Sequence, residues 1–157
     1  MREDTHIVFG AGVSGTGAAL LGCSMGCLLI ALLANLLVHP LIDRLGHEKH
    51  WWTKHPRRHA LTHSLLGATI LGLAVYALLS YAAAPLIGRG DATLLALPVL
   101  LGPWSHLFLD MLNPSGIYLC GRRVTLRVAR YNSVWANLLF QALGILLIAY
   151  SVAQTTL

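Results

Sequence analysis

A histidine and an aspartate lie four residues apart in LLGPWSHLFLDMLNP, residues 100–114, a segment that is otherwise mostly apolar. On an α-helix, residues at this spacing share one face, with Cβ atoms about 5–6 Å apart. His106 and Asp110 would therefore point the same way from a helix that is apolar enough to enter a membrane. Each ionisable group at the centre of a bilayer costs about 3 kcal/mol on insertion scales, so the pair needs a compensating partner.

Two further pairs of ionisable residues have the same spacing. His59 and His63 lie in RHALTHS, and Asp43 and His47 lie in LIDRLGH. The three pairs supply imidazole nitrogens and carboxylate oxygens without a thiolate, a donor set that suits zinc, manganese or iron. A bound cation would also offset the desolvation of Asp110. We therefore predict a site for a divalent metal that holds one ion or two ions lying close together. Zinc is the preferred metal, with manganese and iron as alternatives.

The composition excludes an ordinary water-soluble domain. Hydrophobic residues make up 56% of the 157 residues and charged residues only 11%, against about 25% charged in a typical globular domain. Residues 7–42 and 131–157 contain no Asp, Glu, Lys or Arg. We predict an all-α fold, a polytopic membrane bundle of about four to five helices that forms a single domain over residues 1–157.

Four apolar regions are predicted to form the bundle. They cover residues 7–38, 64–87, 92–112 and 134–153. The first would be about 48 Å long as one helix, which is too long for a bilayer core of about 30 Å. It also contains six glycines, so we predict that it folds back near GVSGTG or GCSMG.

The basic residues are concentrated between these regions. Nine of the eleven Lys and Arg residues lie in residues 39–62 and 113–132. The positive-inside rule places both segments in the cytoplasm, and the three ionisable pairs then lie at that membrane face. Attraction to the headgroups of anionic membrane lipids is the expected role of such loops. Nucleic acid is not an expected partner, because no base-reading module is recognisable.

Several polar or small residues have ordinary structural explanations. Thr62 suits the N-cap of a helix that starts at His63. Cys23 and Cys27, four apart among glycines, are interpreted as small residues at a close helix contact. Three histidines are interpreted as residues of the membrane interface: His39, His50 and His55.

The motifs RHALTHSLLG and SHLFLDMLNPSGIY, with Thr5-His6 and LIDRLGH, resemble those of the YdjM-like family of predicted membrane-bound metal-dependent hydrolases. The resemblance spans most of the chain. That family is distantly similar to zinc-dependent phospholipase C and related single-strand nucleases, which are helical phosphodiesterases. The resemblance implies hydrolase activity, and it implies a set of metal ligands: His6, Asp43, His63, His106 and Asp110, with His47 as a candidate sixth.

We therefore expect hydrolysis of a phosphoester, in a lipid or in another substrate, at the cytoplasmic face of the cell membrane. His59 is the candidate general acid and Arg58 the candidate phosphate-binding residue, although membrane topology alone would also explain Arg58. Three other roles stay open, namely metal transport or sensing, haem ligation by His63 and His106, and a metal that only stabilises the bundle. The sequence does not define the substrate, the number of metal ions or the oligomeric state.

Overall fold

The computed structural model describes residues 1–48 and 57–156, with only the backbone for residues 47, 48, 57 and 58. Within these ranges the chain forms five helices, which confirms the predicted all-α bundle. The helices are α1 (Glu3–Leu20), α2 (Met25–Gly46), α3 (Leu65–Leu94), α4 (Ala96–Leu112) and α5 (Val134–Thr156).

Two short antiparallel hairpins complete the described chain. The first pairs β1 (His47–Glu48) with β2 (Arg57–Arg58), after the end of α2. The second pairs β3 (Ile117–Leu119) with β4 (Arg122–Val124), between α4 and α5. Both hairpins belong to the basic segments, and they lie at the same end of the bundle as the C-terminal ends of α2 and α4, which they follow.

Among the described residues, three helices are long and apolar enough to cross a membrane, namely α2, α3 and α5. The apolar helix α4 is shorter, with 17 residues. Large apolar side chains on the outer faces of the three long helices are exposed, for example Leu33, Leu73 and Ile145. Such faces suit contact with lipid, because lipid tails are as apolar as these side chains.

The first apolar region folds back as predicted. Helix α1 ends at Leu20 and α2 begins at Met25, so the turn lies in GCSMG, whereas GVSGTG is helical. Gly22 has a φ of +70° in this turn, a conformation that residues with a Cβ rarely adopt. Cys23 and Cys27 are buried against the core, and a disulfide also joins them. Close packing alone is therefore an incomplete account of these two cysteines.

Helix α1 lies inside the bundle, in contact with α2, α4 and α5. Its approach to α5 is close enough to require glycine. A Cβ added to Gly12 would meet the Cα of Gly144 at 2.9 Å, and one added to Gly144 would meet the Cα of Phe9 at 2.9 Å. Small residues permit such direct backbone contact between helices in a membrane protein.

The gap between the second and third predicted apolar regions, residues 88–91, lies inside α3 in the structure. Helix α3 continues to Leu94 through a kink at Gly88, and only Leu95 separates it from α4. Gly88 has a φ of +83°, and a glycine can take this value at little steric cost. The expected interruption between the second and third apolar regions is therefore a kink at one residue, Gly88. Helix α4 begins at Ala96, later than the predicted residue 92.

The start of α3 also differs from the prediction. Ser64 is the N-cap, and its hydroxyl accepts a hydrogen bond of 3.1 Å from the backbone N–H of Gly67. Thr62 and His63 therefore lie in a turn before the helix, and the prediction that Thr62 caps it is wrong. The end of α4 is as predicted, with Asn113 as its C-cap and Gly116, at φ +65°, in the turn that follows.

The fold-back and the orientation can be tested with cysteine labelling in sealed vesicles. Glu3 and Cys120 are exposed at the end of the bundle that carries the hairpins, and Gly90 is exposed at the other end. We expect Cys120, and Glu3→Cys in a Cys120→Ser background, to react with a membrane-impermeant maleimide from the cytoplasmic face only. Gly90→Cys in the same background should react from the opposite face. Labelling of Glu3→Cys and Gly90→Cys from one common face would contradict the fold-back.

Candidate metal centre

Helix α4 supplies the first two groups of the site. His106 and Asp110 are both buried, with exposures of 1% and 0%. The Nε2 of His106 lies 3.3 Å from Oδ2 of Asp110. The helical spacing therefore places both side chains on one face, as the sequence predicts, and each is the nearest partner of the other on α4.

Two other segments bring further donor atoms to this pair. Near the end of α2, Oδ1 of Asp43 lies 3.6 Å from Nε2 of His106. In the turn before α3, Nε2 of His63 lies 3.7 Å from the same oxygen of Asp43 and 3.6 Å from Oδ2 of Asp110. Two histidine nitrogens and two carboxylate oxygens, from three segments, thus lie close together.

These separations fit a divalent cation. With ligand bonds of about 2.0–2.1 Å, tetrahedral geometry separates the donor atoms by about 3.3–3.4 Å, and the four histidine–carboxylate separations are 3.3–3.7 Å. Both ring nitrogens of His106 are buried without a hydrogen-bond partner among the described residues. A buried polar group in this state needs an explanation, and an ion supplies one. The buried His/Asp cluster can therefore hold a metal ion.

His6, on α1, approaches the other side of Asp110. Its Nε2 lies 3.5 Å from Oδ1 of Asp110, and its ring stacks on that of His106 with centroids 4.1 Å apart. His6, His106 and Asp110 form a second group that could hold an ion, beside the group of Asp43, His63 and His106. Asp110 faces His6 with Oδ1 and faces His63 and His106 with Oδ2, so this carboxylate lies between the two groups.

The start of α1 is fixed by a buried asparagine of α5. The side-chain oxygen of Asn137 accepts hydrogen bonds from the hydroxyl of Thr5, at 2.8 Å, and from the backbone N–H of Arg2, at 3.0 Å. The amide nitrogen of Asn137 donates to the carbonyl oxygens of Tyr131 and Ser133. This network holds the first turn of α1 against α5 and so sets the position of His6.

His63 is oriented by the residue before it. The hydroxyl of Thr62 donates to the carbonyl oxygen of Ile42, at 3.1 Å, and its oxygen lies 3.1 Å from Nδ1 of His63. A hydroxyl that already donates in one direction can accept the Nδ1–H, and this leaves Nε2 as the ligand atom. Gly46 provides the space, because a Cβ there would meet Nδ1 of His63 at 2.5 Å.

Two of the predicted pairs do not share a helical face. Helix α2 ends at Gly46 and α3 begins at Leu65, so neither Asp43 with His47 nor His59 with His63 lies on one continuous helix. His59 is exposed, and its Nδ1 accepts a hydrogen bond from the backbone N–H of Leu61. The spacing rule fails at these pairs because the helix ends between the partners or has not yet begun.

Other predicted residues lie partly or wholly outside the described part of the chain. His47 and Arg58 face each other across the first hairpin, but their side chains are not described. His50 and His55 also lie outside the described residues.

The interpretation of His39 as an interface residue is wrong. It is fully buried, and its ring centroid lies 5.1 Å from that of His106 and 6.4 Å from that of His6. A signal for this position was present in the sequence, since His39 precedes Asp43 by four residues on the same helix.

The site lies where three helices meet along stripes of small and polar residues. Each stripe has a spacing of four, which keeps its members on one helical face. The stripes are His6, Gly10 and Ser14 on α1, Asn35, His39 and Asp43 on α2, and Gly102, His106 and Asp110 on α4. Asn35 joins two of them, because its amide nitrogen donates to the hydroxyl of Ser14 at 3.0 Å.

The site opens to solvent on one side. The Asp43 side chain is 27% exposed, whereas His63, His106 and Asp110 are at most 1% exposed. The first hairpin and the turn that contains His59 follow α2 on this side.

Comparison with known protein families gives a match, which covers most of the chain. A family model described as "Protein of unknown function (DUF1286)" matches residues 1–109. The chain belongs to the DUF1286 family. The matched residues include His6, His39, Asp43, His63 and His106, and Asp110 is the next residue after the match. No curated protein and no solved structure matches the chain.

Metal binding itself can be measured directly. We expect detergent-purified protein to carry a near-stoichiometric divalent metal by mass spectrometry, and Asp110→Asn and His63→Ala to lose it, because each removes a central ligand. The exposed His59 gives a matched control, and His59→Ala should keep its metal. Equal metal content in the parent and in Asp110→Asn would contradict this assignment of the site.

The role of Thr62 gives a second prediction. Thr62→Val keeps the shape but removes the hydroxyl, so His63 loses the acceptor for Nδ1–H. We expect zinc affinity, measured by chelator competition, to fall about 10–100-fold, as is usual when such a partner is lost. Thr62→Ser retains the hydroxyl and should bind zinc nearly as the parent does. Unchanged affinity in Thr62→Val would show that Thr62 does not orient His63.

Proposed function

We propose that this protein is a membrane-bound, metal-dependent hydrolase that cleaves a phosphoester at the cytoplasmic membrane face. The observation that carries the proposal is the set of four histidine–carboxylate separations, 3.3–3.7 Å, that join Asp43 and Asp110 to His63 and His106. The membrane part rests on three helices that are long and apolar enough to span a bilayer, counted over the described residues.

Zinc is the metal that we propose, because histidine nitrogen and carboxylate oxygen are typical ligands of its catalytic sites. A bound zinc ion supplies a Lewis acid for a phosphoryl oxygen and lowers the pKa of a coordinated water to about 7. The protein residues hold the ion, and they exclude water on every side except that of Asp43. Water adds to phosphorus and the ester P–O bond breaks, which releases an alcohol and a phosphate.

A phosphate group is the best-supported substrate feature. Nine of the eleven Lys and Arg residues belong to the two basic segments, and both hairpins that these segments form are at the site end of the bundle. Guanidinium groups recognise phosphate by paired hydrogen bonds, a role that we propose for Arg58. His59, in the turn that leads to His63, is the proposed general acid for the leaving alcohol.

The resemblance to the YdjM-like family gives independent support for this reaction. Its phosphodiesterase relatives hold metals with histidine and aspartate at the same spacing that His106 and Asp110 have here. A lipid phosphoester is an attractive substrate, because the site lies at the end of a bundle whose outer faces suit lipid. The basic segments at this end favour a cytoplasmic orientation under the positive-inside rule.

Metal transport is less well supported by the same stripes. A transport path needs polar groups through the whole bilayer. The α2 stripe is polar only from Asp43 to Asn35, a rise of about 12 Å out of a core of about 30 Å. It continues as Ala31 and Cys27, which belong to the buried apolar core.

Haem ligation by His63 and His106 conflicts with the carboxylate positions. Oδ2 of Asp110 lies within 3.6 Å of the Nε2 atoms of both histidines. A porphyrin held between these nitrogens would occupy the space of this oxygen. The geometry therefore favours a single ion over a macrocycle.

Hydrolysis is tested with purified, zinc-loaded protein. We expect release of the leaving group from a chromogenic phosphodiester or phosphomonoester, or from a phospholipid in mixed micelles. His63→Ala and Asp110→Asn should lose this activity, and His59→Gln should lose about 10²–10⁴-fold if His59 is the general acid.

The same assay separates catalysis from a structural metal. Activity that is identical in the parent and in His63→Ala would come from a contaminant and would overturn the proposed reaction. Stoichiometric metal without any phosphoester cleavage would indicate that the ion only orders the bundle.

A further inference from the structure

His39 is a buried histidine beside the metal centre that the proposed ligand set does not use. Its Nδ1 lies 3.1 Å from the carbonyl oxygen of Asn35, one helical turn earlier. A carbonyl oxygen can only accept, so Nδ1 carries the proton and Nε2 keeps a lone pair. This Nε2 is buried and has no hydrogen-bond partner among the described residues. His39 therefore presents an unused acceptor inside the bundle.

His106 has a ring N–H that needs an acceptor. Its Nε2 faces the carboxylate oxygens of Asp43 and Asp110, at 3.6 and 3.3 Å, so Nε2 is the atom placed to bind an ion. Its Nδ1 must then carry the proton. Metal-binding histidines almost always donate this N–H to an acceptor, which fixes the ring and the tautomer. Within the described part of the chain, Nδ1 of His106 has no such acceptor at hydrogen-bonding geometry.

The two rings are at the right separation to satisfy each other. The centroids of His39 and His106 lie 5.1 Å apart, with the planes inclined by 48°. An N–H···N bond of about 2.9 Å between two imidazoles places their centroids about 5 Å apart. His6 cannot take this role, because its ring lies over the face of His106, at 4.1 Å and 31°, whereas the Nδ1–H lies in the ring plane.

We propose that His39 is a positioning residue of the metal centre. In the ion-bound protein, a ring rotation brings Nε2 of His39 to the Nδ1–H of His106, and the resulting hydrogen bond fixes the orientation in which Nε2 of His106 binds the ion. The relay runs from the carbonyl of Asn35, through His39, to His106. The inference rests on the metal site of the proposed function, and it does not depend on the reaction that follows.

The surrounding helices hold His39 in place for this role. The amide nitrogen of Asn35 donates to the carbonyl oxygen of Ala31 and to the hydroxyl of Ser14, each at 3.0 Å. On α1, a Cβ added to Gly10 would meet Nε2 of His39 at 2.7 Å. Gly10 thus provides the space in which the ring of His39 can lie between α1 and α4.

The test compares variants by zinc affinity, in chelator competition, and by the visible spectrum of the cobalt(II)-substituted protein. His39→Leu removes the acceptor, and His39→Gln keeps an acceptor oxygen near the position of Nε2. Ser151→Ala is the matched control, because Ser151 is equally buried but contacts the far part of α1, at Thr16. Unfolding of each metal-free variant separates a loss of stability from a loss of affinity.

We expect His39→Leu to bind zinc about 10–100-fold more weakly, with a cobalt spectrum that keeps the parent's coordination number. His39→Gln should recover most of the affinity, and Ser151→Ala should match the parent. Equal zinc affinity in His39→Leu and the parent would overturn the proposal. A changed coordination number in His39→Leu would also overturn it, because His39 would then be a ligand itself.

A measurement on the parent protein covers the case in which His39→Leu does not fold. In zinc-loaded protein labelled with ¹⁵N-histidine, a coupling across the hydrogen bond should connect Nδ1 of His106 with Nε2 of His39. Assigned resonances without this coupling would overturn the proposal. A parent that binds no zinc would overturn both this inference and the proposed metal site, whereas zinc binding without hydrolysis would overturn only the reaction.

Discussion

The carboxylate of Asp110 is fully buried, and it lies against the imidazoles of His6, His63 and His106. A charged group in this position is costly in a bilayer unless it is paired or binds a cation. Its Oδ1 contacts His6 on α1, and its Oδ2 contacts His63 in the turn before α3. The arrangement of the site end of the bundle therefore depends on providing partners for the charge of this one carboxylate. A bound cation does so with the fewest further changes, because the ligand atoms already have the required separations.

The glycines have distinct roles that follow from the same requirement. Gly10 and Gly46 leave space for the rings of His39 and His63, whereas Gly12 and Gly144 allow the backbones of α1 and α5 to touch. Gly10 and Gly46 thus make room for the histidines of the site. Gly12 and Gly144 let α1, the helix that carries His6, pack closely against α5. Within the first apolar region, Gly10 thus has a role beyond close packing, because it provides space for an imidazole ring that a Cβ would displace.

The molecule separates its chemistry from its contact with lipid. The outer faces of α2, α3 and α5 present large apolar side chains, and the polar stripes face inward at one end. Among the residues Asp43, His63, His106 and Asp110, Asp43 has the largest exposed side-chain fraction, 27%. The two hairpins of the basic segments follow α2 and α4, the helices that carry Asp43, His106 and Asp110.

The sequence by itself determined the membrane helices, the fold-back at the first region and the pairing of His106 with Asp110. These features depend on local composition and on the period of one helix, so neighbouring residues are sufficient to define them. Only the tertiary structure decided that His39 is buried beside His106, that Thr62 orients His63 and that His6 reaches the second oxygen of Asp110. Each of these contacts joins segments that are distant in the chain, or depends on where a helix ends. Spacing along one helix contains no information about such contacts, because they are set by how α1, α2 and α4 pack together.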